Sequence, residues 1–508
     1  MSDPTIETTI EHPDGRVELS APDELKRSKL YNEDLAPVAV SRRTWTTWDY
    51  AALWISMAHC IPTYTMASGL IASGMAWWQA LTTILLGNVI VLLPILLNSH
   101  PGTKYGIPFP VFARAAYGTV GSNLPALMRA LVACGWFGIN AWIGGHALQT
   151  FFVSLAPGWH DLLGQFHGFP TTQWISFLVF WGLNILIIYR GMELVRRLER
   201  FAAPFVLVMT AVLVWWAIDK AGGLGPILAR TEFVPPADKP TTTFMSVFIP
   251  SLTATIGFWS TLSLNMPDFT RFGQSQRQQV IGQTVALPST MTLFAAMGIV
   301  ITSATIVIFN DPKGISDPIA LGGMFENRAI VAIVMFTVVI ATLAVNIAAN
   351  VVSPANDFAN ALPGKIDFKT GGLITGVIGI AMMPWELLKD TNSYILGWLV
   401  GYSGSLGSVA GVLIVDYWIL RKKQLDLRSL YVEDGAYRYT NGWNVPAVIA
   451  TIAGTAVALL GVFWDAMRPI YDWSWFVGFG LSGALYWVLM RGVVPPTPRI
   501  PHARIRDR

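Results

Sequence analysis

Apolar residues along this chain come in long runs, not in short alternating or amphipathic stretches. A bilayer-crossing helix needs about 20 such residues. Candidate runs stand at approximately 48–72, 76–98, 125–154, 172–189, 202–218, 245–266, 281–308, 329–351, 371–385, 392–419, 444–463 and 473–490. The pattern predicts an all-α integral membrane protein of about twelve transmembrane helices. The ninth run is the shortest.

Two of these runs are poor uniform helices. Residues 248–272 read FIPSLTATIGFWSTLSLNMPDFTRF, where Pro250, Gly257 and Pro267 are expected to interrupt the helix. Thr253, Thr255, Ser260, Thr261, Ser263 and Asn265 place polar groups there, which in hydrocarbon need partners. Residues 48–73 carry His59 and Pro62 at their centre. Matching interrupted helices in two halves of a chain point to a transporter's binding site.

Composition agrees. Charged residues make up 13% of the chain, against roughly 25% in a soluble protein. The 21 Trp and 45 Gly suit aromatic belts and close helix contacts. A net charge of +3 says nothing about partners, and no nucleic acid is implied. Cys60 and Cys134 both fall inside spans, so neither a disulfide framework nor a zinc cluster is indicated. The chain has no nucleotide loop of the GxxxxGK[ST] kind and no nucleophile elbow. It is therefore not read as an enzyme or an ATP-driven pump, and no cofactor is called for. Residues 1–45 lack an apolar core, so the first span is expected to act as the targeting element.

Basic residues set the orientation. With the N-terminus inside, fifteen Lys and Arg fall in the inside connections and seven in the outside ones. Both termini are then cytoplasmic, and the basic tail with Arg499, Arg504, Arg506 and Arg508 agrees. Three loops stand out. Residues 102–123 form either a packed re-entrant turn or a gate. Residues 221–240 are expected to be flexible. Residues 421–442 read as a solvated connector with room for a short amphipathic helix.

Trp136 and Asn140 are four residues apart in the third span, and Asn346 and Asn350 are four apart in the eighth. On a helix each pair shares a face. A carboxamide both donates and accepts, which suits a solute with alternating C=O and N–H groups. Helix–helix glue is the plainer use, at about 0.6 kcal/mol per contact. Trp136 and Trp259 lie near the middles of their spans, where an interface anchor is not expected. They are either packing or a flat wall for a planar ring. His59 is an intramembrane ionisable group and so a functional candidate. Asp49, Asp268 and Asp357 lie near span ends, where solvation or capping is the ordinary role.

The chain resembles the nucleobase–cation symporters from about residue 30 to 489. The resemblance rests on NEDLAPV (32–38), RRTW (42–45), GTKYGIPFPVFARAAYG (102–118), NMPDFTRF (265–272), NIAANVVSPANDFAN (346–360) and VDYWILRKKQL (415–425). HCIPTY (59–64) is nearest to the bacterial allantoin, hydantoin and dihydropyrimidine-type members. The resemblance implies a leucine-transporter-type fold: two inverted five-helix repeats plus two C-terminal helices. Its boundaries would be a tail over 1–45, repeats over 46–220 and 221–420, helices 11 and 12 with their preceding loop over 421–492, and a tail over 493–508. It also implies a secondary active importer of a neutral planar ureide or nucleobase, with a cytosine or purine permease or a membrane sensor as alternatives. The expected home is the inner membrane of a bacterium.

The resemblance places the ring between Trp136 and Trp259, with Asn140 and Asn350 on its amide edge. Three positions depart from the hydantoin-transporting branch. Asn140 replaces a longer Gln, Phe258 replaces a Gly, and Cys60 stands at an amide position. The sodium site of that branch uses carbonyls that align with Ser56, His59 and Ala341, and two hydroxyls whose positions are Ala344 and Val345 here. With those hydroxyls gone, sodium coupling is not expected. A proton is the alternative, with His59 the group placed to report it.

Overall fold

A computed structural model describes residues 9–190, 192–237, 239–310, 314–315, 317–388, 397–493 and 503–504. The start of the tenth predicted span (392–396), residues 1–8 and most of the basic C-terminal tail, with Arg499, Arg506 and Arg508, lie outside the described residues.

A helix stands at every predicted span. Helix 1 comes in two halves, Thr47–Ala58 and Ile61–Ala72. Helices 2 to 5 are Trp77–Tyr105, Asn123–Leu155, Thr171–Arg190 and Met192–Lys220. Helix 6 is Phe244–Phe258 followed by Ser260–Asn265 and Pro267–Thr270. Helices 7, 8 and 9 are Gln276–Phe309, Arg328–Asn350 (continued as Val352–Ala361) and Phe368–Ala381. Helix 10 is Gly397–Leu420, helix 11 is Val445–Ala458 and helix 12 is Ser474–Met490. Among the described residues six helices are long and apolar enough to cross a membrane unaided. The broken helices 1 and 6 open the two halves of the chain, as the inverted-repeat architecture requires. Leu93, Val208, Trp215, Val285 and Ile452 are exposed on the outer surface, which in water would be costly and in lipid is not.

The break in helix 1 has a local cause. Cys60 is extended (φ −141°, ψ 156°) and Pro62 follows at the start of the second half, where a missing N–H costs least. The freed Ala58 carbonyl accepts from the Thr63 hydroxyl at 2.9 Å. In helix 6 the expectation needs correcting. Pro250 sits inside an unbroken helix, and the break falls at Trp259 (φ −105°, ψ 7°). Gly257 lies within the helix because helix 10 crosses there. A Cβ at Gly257 would stand 2.7 Å from the Leu399 carbonyl oxygen. Gly102 likewise lets helix 2 meet the end of helix 6, since its Cβ would come 2.8 Å from Pro267 Cα.

The loops pack more tightly than their composition suggests. Residues 107–117 are buried throughout, with Phe109–Tyr117 helical, so this stretch is a packed element. The 421–442 connector is not solvated: Leu427, Leu430, Tyr431 and Tyr437 are buried in it, and no helix spans its middle. Arg114 explains this burial. It donates to the Leu430 carbonyl at 2.8 Å, to Asn360 Oδ1 at 2.7 Å and to the Leu30 carbonyl at 3.2 Å. Burial pulls this guanidinium down to about 10, so at neutral pH it stays charged and ties three segments together. The 221–240 loop is pinned too, by Arg230 to the Gly74 carbonyl at 3.0 Å and by Val234 N to the same oxygen at 2.9 Å.

Candidate functional site

Cys60, Trp136, Asn140, Phe258, Trp259 and Asn350 line one cavity of about 330 Å³. It sits where the breaks of helices 1 and 6 face helices 3 and 8. Met57, Pro62, Thr261, Leu262, Val345 and Ala349 complete its wall. None of these side chains carries a charge.

The aromatic wall is held from three helices. Trp136 Nε1 donates to the Tyr402 hydroxyl at 3.1 Å, and Tyr402 donates to the Gly257 carbonyl at 2.8 Å. That carbonyl lies just before the helix 6 break, so helix 10 serves both the indole and the break. Phe258 touches both indoles edge-on, with centroids 5.2 Å from Trp136 and 4.9 Å from Trp259. It is thus an aromatic spacer between them. Trp54 braces Trp259 edge-on at 5.1 Å. Trp259 Nε1 is buried without a hydrogen-bond partner.

The amides divide the work. Asn140 Nδ2 donates to the Trp136 carbonyl at 3.1 Å, while its Oδ1 is buried and unpartnered. Asn346 does not line the cavity, contrary to expectation. It stands behind Asn350, accepts from Asn350 Nδ2 at 3.0 Å and donates to Asn184 Oδ1 at 3.2 Å.

Ser56, His59, Ala341 and Ala344 gather around a separate cavity of about 190 Å³, with Ile55, Ala202 and Val206. Val345 is not among them; its side chain faces the aromatic cavity. Ser56 Oγ is buried there without a partner. The His59 ring turns toward helix 5, with Nε2 2.5 Å from Thr210 Oγ1 and the ring edge-on to Phe294 at 4.6 Å. Thr342 lines a third, mostly apolar cavity with His59, Tyr64 and Thr210, so it does not replace the missing hydroxyls.

The three carboxylates part company. Asp49 caps helix 1 as expected, its Oδ2 accepting from Thr46 N at 2.9 Å. Asp268 and Asp357 are fully buried instead of solvated. Asp268 Oδ1 accepts from Phe109 N at 3.0 Å, and Asp357 lies 3.5 Å from the buried Arg129. Their position in sequence gave no hint of this, because Phe109 and Arg129, which meet them, are long-range neighbours.

A family model described as "Permease for cytosine/purines, uracil, thiamine, allantoin" matches residues 37–478. The chain belongs to this permease family. The permease is 41% identical to the allantoin permease of Bacillus subtilis over 94% of this chain and 98% of that one. It is 40% identical to the purine-uracil permease NCS1 of Arabidopsis thaliana over 91% of this chain and 78% of the other. Its fold matches that of Mhp1, a nucleobase-cation-symport-1 family transporter solved closed with bromovinylhydantoin bound, at a TM-score of 0.75, 24% identity and coverage of 91% and 96%. The permease is thus a multi-pass membrane protein of leucine-transporter-type fold and a transporter of small molecules.

Sequence reasoning missed Met57, Thr261, Leu262 and Ala349 in the wall, and Tyr402 and Asn184 behind it. Thr261 was within reach, as one of the polar residues in the helix 6 run. Tyr402 and Asn184 were not, since nothing local marks a hydroxyl or amide that acts across helices.

Proposed function

We propose that the permease imports a neutral planar cyclic ureide or nucleobase of the allantoin, hydantoin, uracil or dihydrouracil type. The observation that carries this reading is the uncharged cavity walled by Trp136, Phe258 and Trp259, with Asn140 and Asn350 beside them. A flat ring gains stacking area there, and its amide edge finds partners for groups that would otherwise be buried unpaired. A charged solute would lose hydration with no counter-charge. The names of the Bacillus and Arabidopsis relatives support the same substrate class. Trp136 and Trp259 stack the ring, Asn140 and Asn350 read its edge, and Phe258 and Cys60 set the size of the floor.

The proposed boundaries are inverted repeats over 46–220 and 221–420, then 421–492 with the last two helices, between tails over 1–45 and 493–508. The proposed location is the inner membrane of a bacterium, both termini cytoplasmic, in line with the basic-residue bias. Coupling to sodium is disfavoured by the cavity around Ser56 and His59, where Ala341 and Ala344 offer no side-chain oxygen, so a proton gradient or facilitated flow is the proposed drive. Uptake of labelled allantoin into proteoliposomes tests the reading, with uracil, cytosine, hydantoin and dihydrouracil as competitors. The ureides and uracil should compete and cytosine should not. Preferred uptake of cytosine would favour the cytosine or purine permease reading, and binding without uptake would make the protein a sensor. Repeating uptake in sodium-free buffer with an uncoupler separates proton drive from facilitated flow.

A further inference from the structure

A carboxamide can face either way, and what holds it decides whether oxygen or N–H looks at the ligand. Behind Asn350 the decision starts from a group with no choice. The Phe180 carbonyl can only accept, and Asn184 Nδ2 donates to it at 2.8 Å. Asn184 Oδ1 therefore points the other way, where it accepts from Asn346 Nδ2 at 3.2 Å. The same Nδ2 lies 3.3 Å from the Phe137 carbonyl, a second pure acceptor. Asn346 Oδ1 is left to accept from Asn350 Nδ2 at 3.0 Å. Asn350 thus commits one of its two amide N–H groups to the protein, which fixes the flip of the carboxamide and leaves Oδ1 for the cavity it lines. Asn140 is fixed in the same way independently: one Nδ2 N–H goes to the Trp136 carbonyl, and its Oδ1 is buried and unpartnered. Asn184 and Asn346 are fully buried and line no part of the cavity.

We propose that Asn184 and Asn346 are positioning residues that fix the polarity of Asn350, so that the cavity offers two amide oxygens and selects its substrate by ring N–H groups. This rests on the ureide or nucleobase reading above and sharpens it. A ring that replaces an N–H by CH2 leaves a buried oxygen unpaired and is rejected, although its shape fits.

Hydantoin and succinimide test this, because succinimide is hydantoin with one ring N–H replaced by CH2. Their affinities are measured by competition against labelled allantoin on purified wild type, Asn346→Ala and Asn184→Ala. The wild type should bind succinimide on the order of tenfold more weakly than hydantoin, the cost of an unpaired buried acceptor. In Asn346→Ala the Asn350 amide is free to turn, and the ratio should shrink to about threefold or less, even if both ligands bind more weakly. Asn184→Ala should move the ratio the same way by a smaller step. The proposal is overturned if the wild type binds both rings equally, or if Asn346→Ala weakens both by one factor, as a purely structural role would. A wild type that binds allantoin and hydantoin but fails this ratio keeps the substrate class and loses the relay. One that binds neither, nor uracil, overturns both.

Discussion

Helix 1 breaks once, and two cavities meet at that break. Met57, Cys60 and Pro62 face one; Ile55, Ser56 and His59 face the other. The first faces two amides and three aromatic rings. The second faces Ala202, Val206, Ala341 and Ala344, and its one side-chain hydroxyl belongs to Ser56. Unwinding a helix frees backbone groups for any neighbouring site, so the break alone does not say which ligand is held. Side chains do. The aromatic cavity offers stacking faces and amide oxygens. The neighbouring one is lined with methyl groups where a hard cation would need oxygens to replace its hydration shell.

If that contrast is right, charge should matter most. Orotate, uracil with an added carboxylate, should show no measurable competition at a large excess over labelled allantoin. Competition equal to that of uracil would reveal a cation in the aromatic cavity. Next in size come the walls. Trp136→Ala, Trp259→Ala and Asn350→Ala should each weaken allantoin binding roughly tenfold or more, given about 1–3 kcal/mol for an aromatic stack on a planar base. Normal binding by both folded Trp variants would move the site elsewhere. Tyr402→Phe should cost less. It keeps the ring but leaves Trp136 Nε1 without that acceptor and the Gly257 carbonyl without that donor, a loss of about 1 kcal/mol or roughly fivefold in affinity. An unchanged affinity would mean that helix 10 does not hold the indole in place.

Much of this was legible in the chain. The long apolar runs placed the twelve membrane-spanning segments, and the four-residue spacing of Trp136 with Asn140 and of Asn346 with Asn350 put those pairs on single helix faces. The interruptions near His59 and Trp259 marked the site because prolines and polar groups are expensive in lipid-facing helices. The rest depended on long-range packing. Helical spacing could not show that Asn346 hides behind Asn350, since the two lie on one face and only the neighbours Asn184 and Phe137 decide which meets the cavity. Pro250 looked like a breaker yet sits inside helix 6, while the turn falls at Trp259, where Tyr402 takes up the Gly257 carbonyl. The 421–442 loop looked solvated because its polar residues dominate its composition. Its Leu430 and Tyr431 are buried by Arg114 and the N-terminal segment.

The contrast between the two cavities is tested most directly by the affinity for labelled allantoin on purified wild type at fixed pH, with sodium replaced by choline at constant ionic strength. A cavity lined by Ala202, Val206, Ala341 and Ala344, with Ser56 as its one side-chain hydroxyl, predicts an affinity unchanged within about twofold, since the coordination of a hard cation there is incomplete. A steep loss of affinity in choline would show that backbone carbonyls and Ser56 still hold the ion, and would contradict the account.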